Sequence, residues 1–185
     1  LQNYYYQTFD ISSCKTAIEQ NFKFADDLYN QGLVLEKYEE ANQISDDLLT
    51  EKKRYVLLKT ELWINTVLLK KKCKNPFDTI VYVYSHSPEN NVKVAEQKII
   101  SNVLKDIKEE RGNSVILLPI AGDLDLDIVD LQLKTYNVTK IPALIINEKF
   151  VLTGFNSKES VEKYLTNFSK NNTKNTIKPI NITKR

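Results

Sequence analysis

"NVTKIPALIINEKFVLTGF", residues 137–155, holds two apolar runs separated by a three-residue break. Pro142 stands at the mouth of the first run. Proline cannot donate to a sheet ladder, so within a sheet it is confined to a strand's first residue, an edge or a bulge. The stretch therefore reads as a strand, "IPALIIN", that opens on a proline. A turn-like "NEK" follows, and "FVLTG" returns beside the first run as a hairpin partner.

Working back towards the N-terminus, "DLDLDIVDLQLKTYN" begins with acids and carries Ile128, Val129, Leu131 and Leu133. It predicts a helix from about Asp125 to Tyr136, with the acids at its positive end. "SVILLPI" (114–120) and "TIVYVY" (79–84) are short, nearly continuous apolar runs, as expected of strands buried on both faces. Between them, Val92 to about Arg111 reads as a helix with Val94, Ile99, Ile100, Val103, Leu104 and Ile107 on its apolar side, ended by Gly112. Strand, helix and strand of this length make a right-handed parallel unit. Beyond the hairpin, Ser157 caps a last helix holding Val161, Tyr164, Leu165 and Phe168. The order β-α-β-α-β-β-α predicts an α/β fold: a mixed sheet with helices on both sides.

The front of the chain follows a different pattern. From Ser12 to about Ala41, Ile18, Phe22, Ala25, Tyr29 and Gly32 recur at four- and three-residue steps, one stripe of a helix, with Leu28, Leu35 and Tyr38 beside it. "NQISDD" breaks the pattern, with Ser45 as N-cap. A second helix then runs to about Lys72. In it Leu48, Tyr55, Leu62 and Leu69 recur every seven residues, as a coiled-coil seam requires. Leu57, Leu58, Trp63, Ile64, Val67 and Leu68 widen the apolar surface of its second half, so it packs on something besides its partner. Lys70, Lys71 and Lys72 complement the helix's negative end, and Pro76 prevents its continuation.

Cys14 opens the first helix and Cys73 closes the second, and these are the two cysteines of the chain. In an antiparallel hairpin turning near residue 43, residues whose numbers sum to 87 lie opposite each other, and 14 and 73 are such a pair. A disulfide is expected on that symmetry, and two unrelated buried thiols are the alternative. The bond in turn implies an extracytoplasmic or membrane-anchored protein, and free thiols a cytoplasmic one.

"YNVTKIPALIINEKFVLTGF", taken with the element order, resembles the C-terminal half of the thioredoxin-like fold over about residues 77–168. The Asn-x-Lys turn is similar to that of bacterial disulfide-oxidoreductase relatives. The resemblance implies a cis Ile141–Pro142 peptide lying beside the family's redox site, where neighbouring backbone pairs with an extended peptide. It divides the chain into an N-terminal helical hairpin (1–74), a thioredoxin-like domain (75–168) and a basic tail (169–185).

The family's redox enzymes carry Cys-x-x-Cys after the first core strand, at a helix N-terminus that lowers a thiol's pKa. Here that stretch is "YSHSPENNVKV" (84–94), without cysteine. The groove implied beside Pro142 consists of Tyr84, Ser85, His86, Ser87 and Glu89 with Lys140 and Ile141. His86 is the sole histidine and suits acid–base work near neutral pH. However, the spacing of Ser85, His86, Ser87 and Glu89 yields no nucleophile–base–orienter set, and a polar helix-capping loop is the plainer reading.

Other chemistries lack their motifs. A calcium loop starting at Asp123 needs glycine at its sixth position and glutamate at its twelfth, and finds Ile128 and Lys134. One histidine and two distant cysteines make no zinc site. Only four glycines occur, with no phosphate-binding loop. No metal and no cofactor is called for. Four Asn-x-Ser/Thr sequons, at Asn137, Asn167, Asn171 and Asn181, support a surface location weakly.

The overall charge is +2, and the five basic residues after Phe168 leave residues 1–168 at a formal −3. Such a body offers no basic field for nucleic acid. No apolar run is long enough to span a membrane. The chain begins Leu-Gln-Asn and has no methionine, which reads as a processed or excised product, so membrane attachment would come through a missing upstream anchor. "NYYYQTF" suits either a membrane–water interface or packing on the nearest helix.

The expected function is that of a redox-inactive binding or scaffold module acting on a protein or peptide partner, with self-association through the hairpin as a further possibility. An oxidoreductase-related enzyme with a non-thiol or partner-supplied site, and a peptide-binding chaperone, are the alternatives.

Overall fold

The computed structural model describes residues 14–40, 46–74 and 76–166. The N-terminal aromatics, Ser45, Phe168, the basic tail and the three C-terminal sequons lie outside the described residues.

Two long helices come first, α1 (Cys14–Glu40) and α2 (Asp46–Lys72). Cys14 and Cys73 are disulfide-bonded, as their mirror spacing requires. The same register recurs along the pair: Asn21 Nδ2 donates to Thr66 Oγ1 at 3.0 Å, and Gly32 lies against Tyr55. The inner stripe of α1 is Ala17, Asn21, Phe22, Leu28 and Gly32. Tyr29, expected on this stripe, is instead exposed. Leu28 takes the inward place because Ala17, Asn21 and Leu28 keep the helical step better than a count that starts at Ile18.

The remainder is built as the apolar runs predict. Strands β1 (Asp78–Tyr84) and β2 (Val115–Ala121) pair in parallel across helix α3 (Asn91–Arg111). Helix α4 (Asp127–Thr135) leads to β3 (Ala143–Ile146), which runs antiparallel to β1 and turns into β4 (Phe150–Thr153). The strand order is β2-β1-β3-β4. Asn147 and Glu148 take φ of 51° and 58° in the three-residue turn between Ile146 and Phe150, which Lys149 N closes onto the Ile146 carbonyl at 3.1 Å. Helix α5 (Lys158–Glu162) is capped by Ser157, whose hydroxyl accepts from Ser160 N. It is shorter than its apolar spacing predicts.

Alternation along the strands divides the core. Ile80, Tyr82, Leu144 and Ile146 face α3 and α5. Val81, Val83, Ile116, Leu118, Ile120 and Ile145 face the other way, in one apolar cluster with Trp63 and Leu62 of α2, Phe22 and Leu28 of α1, and Val129 of α4. The second half of α2 is apolar on most sides because it packs on α1, β2 and α4 together.

A polar cluster closes the end of the sheet where β1 begins. Lys70 is buried and donates to Thr79 Oγ1 (2.9 Å), Asn147 Oδ1 (2.9 Å) and Glu148 Oε2 (2.8 Å). Its three protons thus find three acceptors, which is what a buried ammonium requires. Lys70 stands in the last turn of α2, where it was expected to complement the helix's negative end, and it is also a core residue. Asp78 accepts from Asn147 Nδ2, Thr166 N and Thr166 Oγ1, and Arg111 lies 3.7 Å from it.

Candidate functional site

The opposite end of β1 carries the loop where the sequence placed a groove. Tyr84 is the last strand residue, half-buried, with its ring 5.7 Å from that of Tyr82. The register between β1 and β3 pairs Val83 with Ala143. Continued two residues on, it would set Ser85 opposite Ile141. The ladder does not continue. Gln97 of α3 takes both main-chain groups of Ser85, whose N–H donates to Oε1 at 2.6 Å and whose carbonyl accepts from Nε2 at 3.1 Å. A side-chain amide thus stands in for the next strand residue.

Asp123 holds the rest of the loop. Its carboxylate accepts from Ser85 Oγ (2.6 Å), His86 N (2.7 Å) and Ser87 N (3.2 Å). Burial pushes this carboxyl's pKa up. The three donors, together with its own backbone N–H, outweigh that and hold it below the ordinary carboxylate range. The acidic run was expected to sit at a helix N-terminus. The helix begins only at Asp127, with Leu126 as its N-cap, and Asp123 and Asp125 precede it. Asp125 takes a φ of 53°, so the chain turns there and leaves Asp123 facing the 85–87 loop.

The hairpin also reaches this end. Lys52 Nζ of α2 lies 2.6 Å from His86 Nδ1. An ammonium carries donors only, so Nδ1 is the acceptor and the imidazole proton sits on Nε2. Ser85 gives its hydroxyl proton to Asp123, and His86 faces Lys52.

Across from the loop, the Ile141–Pro142 peptide is cis. Pro142 is buried, and its carbonyl accepts from Gly154 N at 2.9 Å. Ile141 is half-buried and packs towards Gly122, where a Cβ would come within 2.7 Å of Val83 Cγ1 and 3.7 Å of Ile141 Cδ1. Glycine at 122 is what lets the 84–87 loop, Asp123 and Ile141 converge. Among the described residues no hydrogen bond engages the main-chain N–H or C=O of Ile141.

Two residues expected in the groove stand apart from this convergence. Glu89 is exposed and pairs with Lys93 Nζ at 3.1 Å, one turn along α3. Lys140 is exposed on the approach to the proline. Asp123, Gln97 and Lys52 were missed, because each is distant in sequence from the loop that it holds. The only signal for them was the absence of any near neighbour able to satisfy Ser85, His86 and Ser87.

The disulfide lies at the other end of β1, and seven strand residues separate the two ends by roughly 20 Å. Among the described residues no group of three or more His, Cys, Asp or Glu side chains is placed to hold a metal ion. No described helix is long and apolar enough to cross a membrane. A scan against protein-family models matches none of them, and a search of curated proteins finds no match to this chain.

Proposed function

We propose that this protein is a thioredoxin-like module that binds an extended peptide or a partner protein and does not exchange thiols. The strand order with its single parallel pair, the proline opening β3, and the hairpin that follows support membership of that fold. The place where the fold's redox members carry a cysteine pair is filled by Ser85, His86 and Ser87, fastened by Asp123.

The observation that carries the reading is the interrupted ladder at Ile141. Ser85 is turned away onto Gln97, so the Ile141 main chain is left as a short open edge. An extended segment that pairs with such an edge gains main-chain hydrogen bonds without needing a particular sequence. The disulfide is compatible with an oxidising compartment, and an extracytoplasmic place of action, free or tethered, belongs to this proposal.

The test is a titration of isotope-labelled protein with a permanently unfolded, carboxymethylated polypeptide. Amide shifts should concentrate at Ile141, Ala143 and His86. Shifts confined to the outer faces of the hairpin would overturn the groove reading. Turnover in a dithiol–disulfide exchange assay would overturn the redox-inactive one.

A further inference from the structure

Of the chain's four Asn-x-Ser/Thr sequons, the one at Asn137 lies among the described residues, and the function proposed above makes no use of it. It occupies the turn that ends α4. Val138 N donates to the Leu133 carbonyl at 2.8 Å and Asn137 N to the Lys134 carbonyl at 3.2 Å, with Asn137 at a φ of 55°. These two bonds are the pair that closes a helix on a left-handed residue. Val138 is turned inwards and packs, with Leu133, against the core cluster. Asn137 and Thr139, on either side of it, are exposed, and among the described residues neither side chain makes a hydrogen bond.

The turn accounts for only part of this. A left-handed position favours glycine first and asparagine second, so the backbone alone would accept Asn137. It asks nothing of Thr139, which lies outside every described helix and strand. An asparagine amide with a hydroxyl two residues on, and no proline between, is the pattern that N-linked glycosyl transfer reads. The anchored Val138 fixes the middle of that pattern and leaves its two reacting members on the surface.

We propose that Asn137 is an N-glycosylation site whose sugar donor is an oligosaccharide carried on a lipid pyrophosphate. The Asn137 Nδ2 attacks the anomeric carbon of the donor. A C–N bond forms, the C–O bond to the pyrophosphate breaks, the lipid pyrophosphate leaves, and the amide proton passes to a base of the transferring enzyme. The inference rests on the extracytoplasmic place of action proposed above, with which the Cys14–Cys73 bond is compatible.

The experiment sends the whole chain, behind a secretion leader, through the secretory pathway of a eukaryotic cell line. The protein is collected from the medium or, where retained, from the microsomal fraction. Peptide mapping follows treatment with an amidase that releases N-linked glycans and leaves aspartate at each modified asparagine. Asn137 should be converted. Thr139→Ser should keep the modification. Thr139→Ala should abolish it at Asn137, and Asn137→Gly should remove the acceptor, each variant melting as the unglycosylated parent does, because the exchanged side chains are exposed and unbonded. Asn137 left bare in a disulfide-bonded chain from that pathway, or modified equally in Thr139→Ala, would overturn the proposal, as would glycans confined to Asn167, Asn171 or Asn181. A bare Asn137 in a chain that still binds unfolded polypeptide at Ile141 sinks this inference alone, whereas a glycosylated chain that leaves the polypeptide unbound sinks only the groove.

Discussion

Lys70 Nζ, on the second helix, stands 2.8 Å from Glu148 Oε2 in the turn between the last two strands, with the two side chains 3% and 16% exposed. Removing one member of a buried pair strands the other. Lys70→Met should cost about 3 kcal/mol, at the lower edge of the range for such breaks because Glu148 keeps some water. The midpoint of urea unfolding should fall with little change in slope. Adding Glu148→Gln to Lys70→Met should recover part of the loss, since the stranded charge is then gone.

The Cys14–Cys73 bond closes a loop of 59 residues. On the chain-entropy model a loop of that length gives about 4 kcal/mol of stabilisation. Reduction, or Cys14→Ser with Cys73→Ser, should lower the unfolding free energy by an amount of that order. Intact mass with and without reductant should differ by about 2 Da, the two hydrogens of one bond.

Asp123 binds its proton less tightly folded than unfolded, because the three donors of the 85–87 loop favour the carboxylate. Its contribution is therefore complete above the free-chain value of about 3.9 and is lost as pH falls through the lower folded value. At neutral pH, Asp123→Ala should cost about 1–2 kcal/mol, from the lost hydrogen bonds of a partly exposed group. Hydrogen exchange at the His86 and Ser87 amides should speed up roughly tenfold, while the β1 amides keep their protection.

Gly32→Ala sets helix propensity against space. Alanine in place of glycine inside a helix normally gains about 1 kcal/mol. Here the new Cβ would sit 2.3 Å from the Tyr55 hydroxyl, which is tied to the Leu28 carbonyl. The clash should win, with a net loss of about 1–2 kcal/mol by thermal melting. Tyr55→Phe removes the nearest atom, so the double variant should be more stable than Gly32→Ala alone.

Periodicity made the strands, the hairpin and the cysteine pair legible, because each is written in apolar spacing or in a mirror relation along the chain. "TIVYVY" and "SVILLPI" lie within a residue of their observed strands. What periodicity hides is a polar residue that belongs inside. Asn21, Lys59 and Lys70 fall on buried faces, yet a count of apolar positions passes over them. The loop site fared similarly. His86 and Pro142 were visible as unusual residues, but Asp123 and Gln97, which hold Ser85 and its neighbours, lie 38 and 12 residues from Ser85. Only the fold brings them there.

One apolar cluster runs without a break from Phe22 through Trp63 to Val81 and Ile145. The helix pair is therefore the roof of one sheet face and not an arm held away from it. A chain started at Pro76 would keep every strand yet leave Val81, Val83, Ile116, Leu118 and Ile120 with only α4 for shelter. Such a piece should aggregate. A stretch that folds on its own should therefore include the helix pair, and anything that pulls α2 off the sheet takes with it both the Lys70 clasp at one end and the Lys52 contact with His86 at the other.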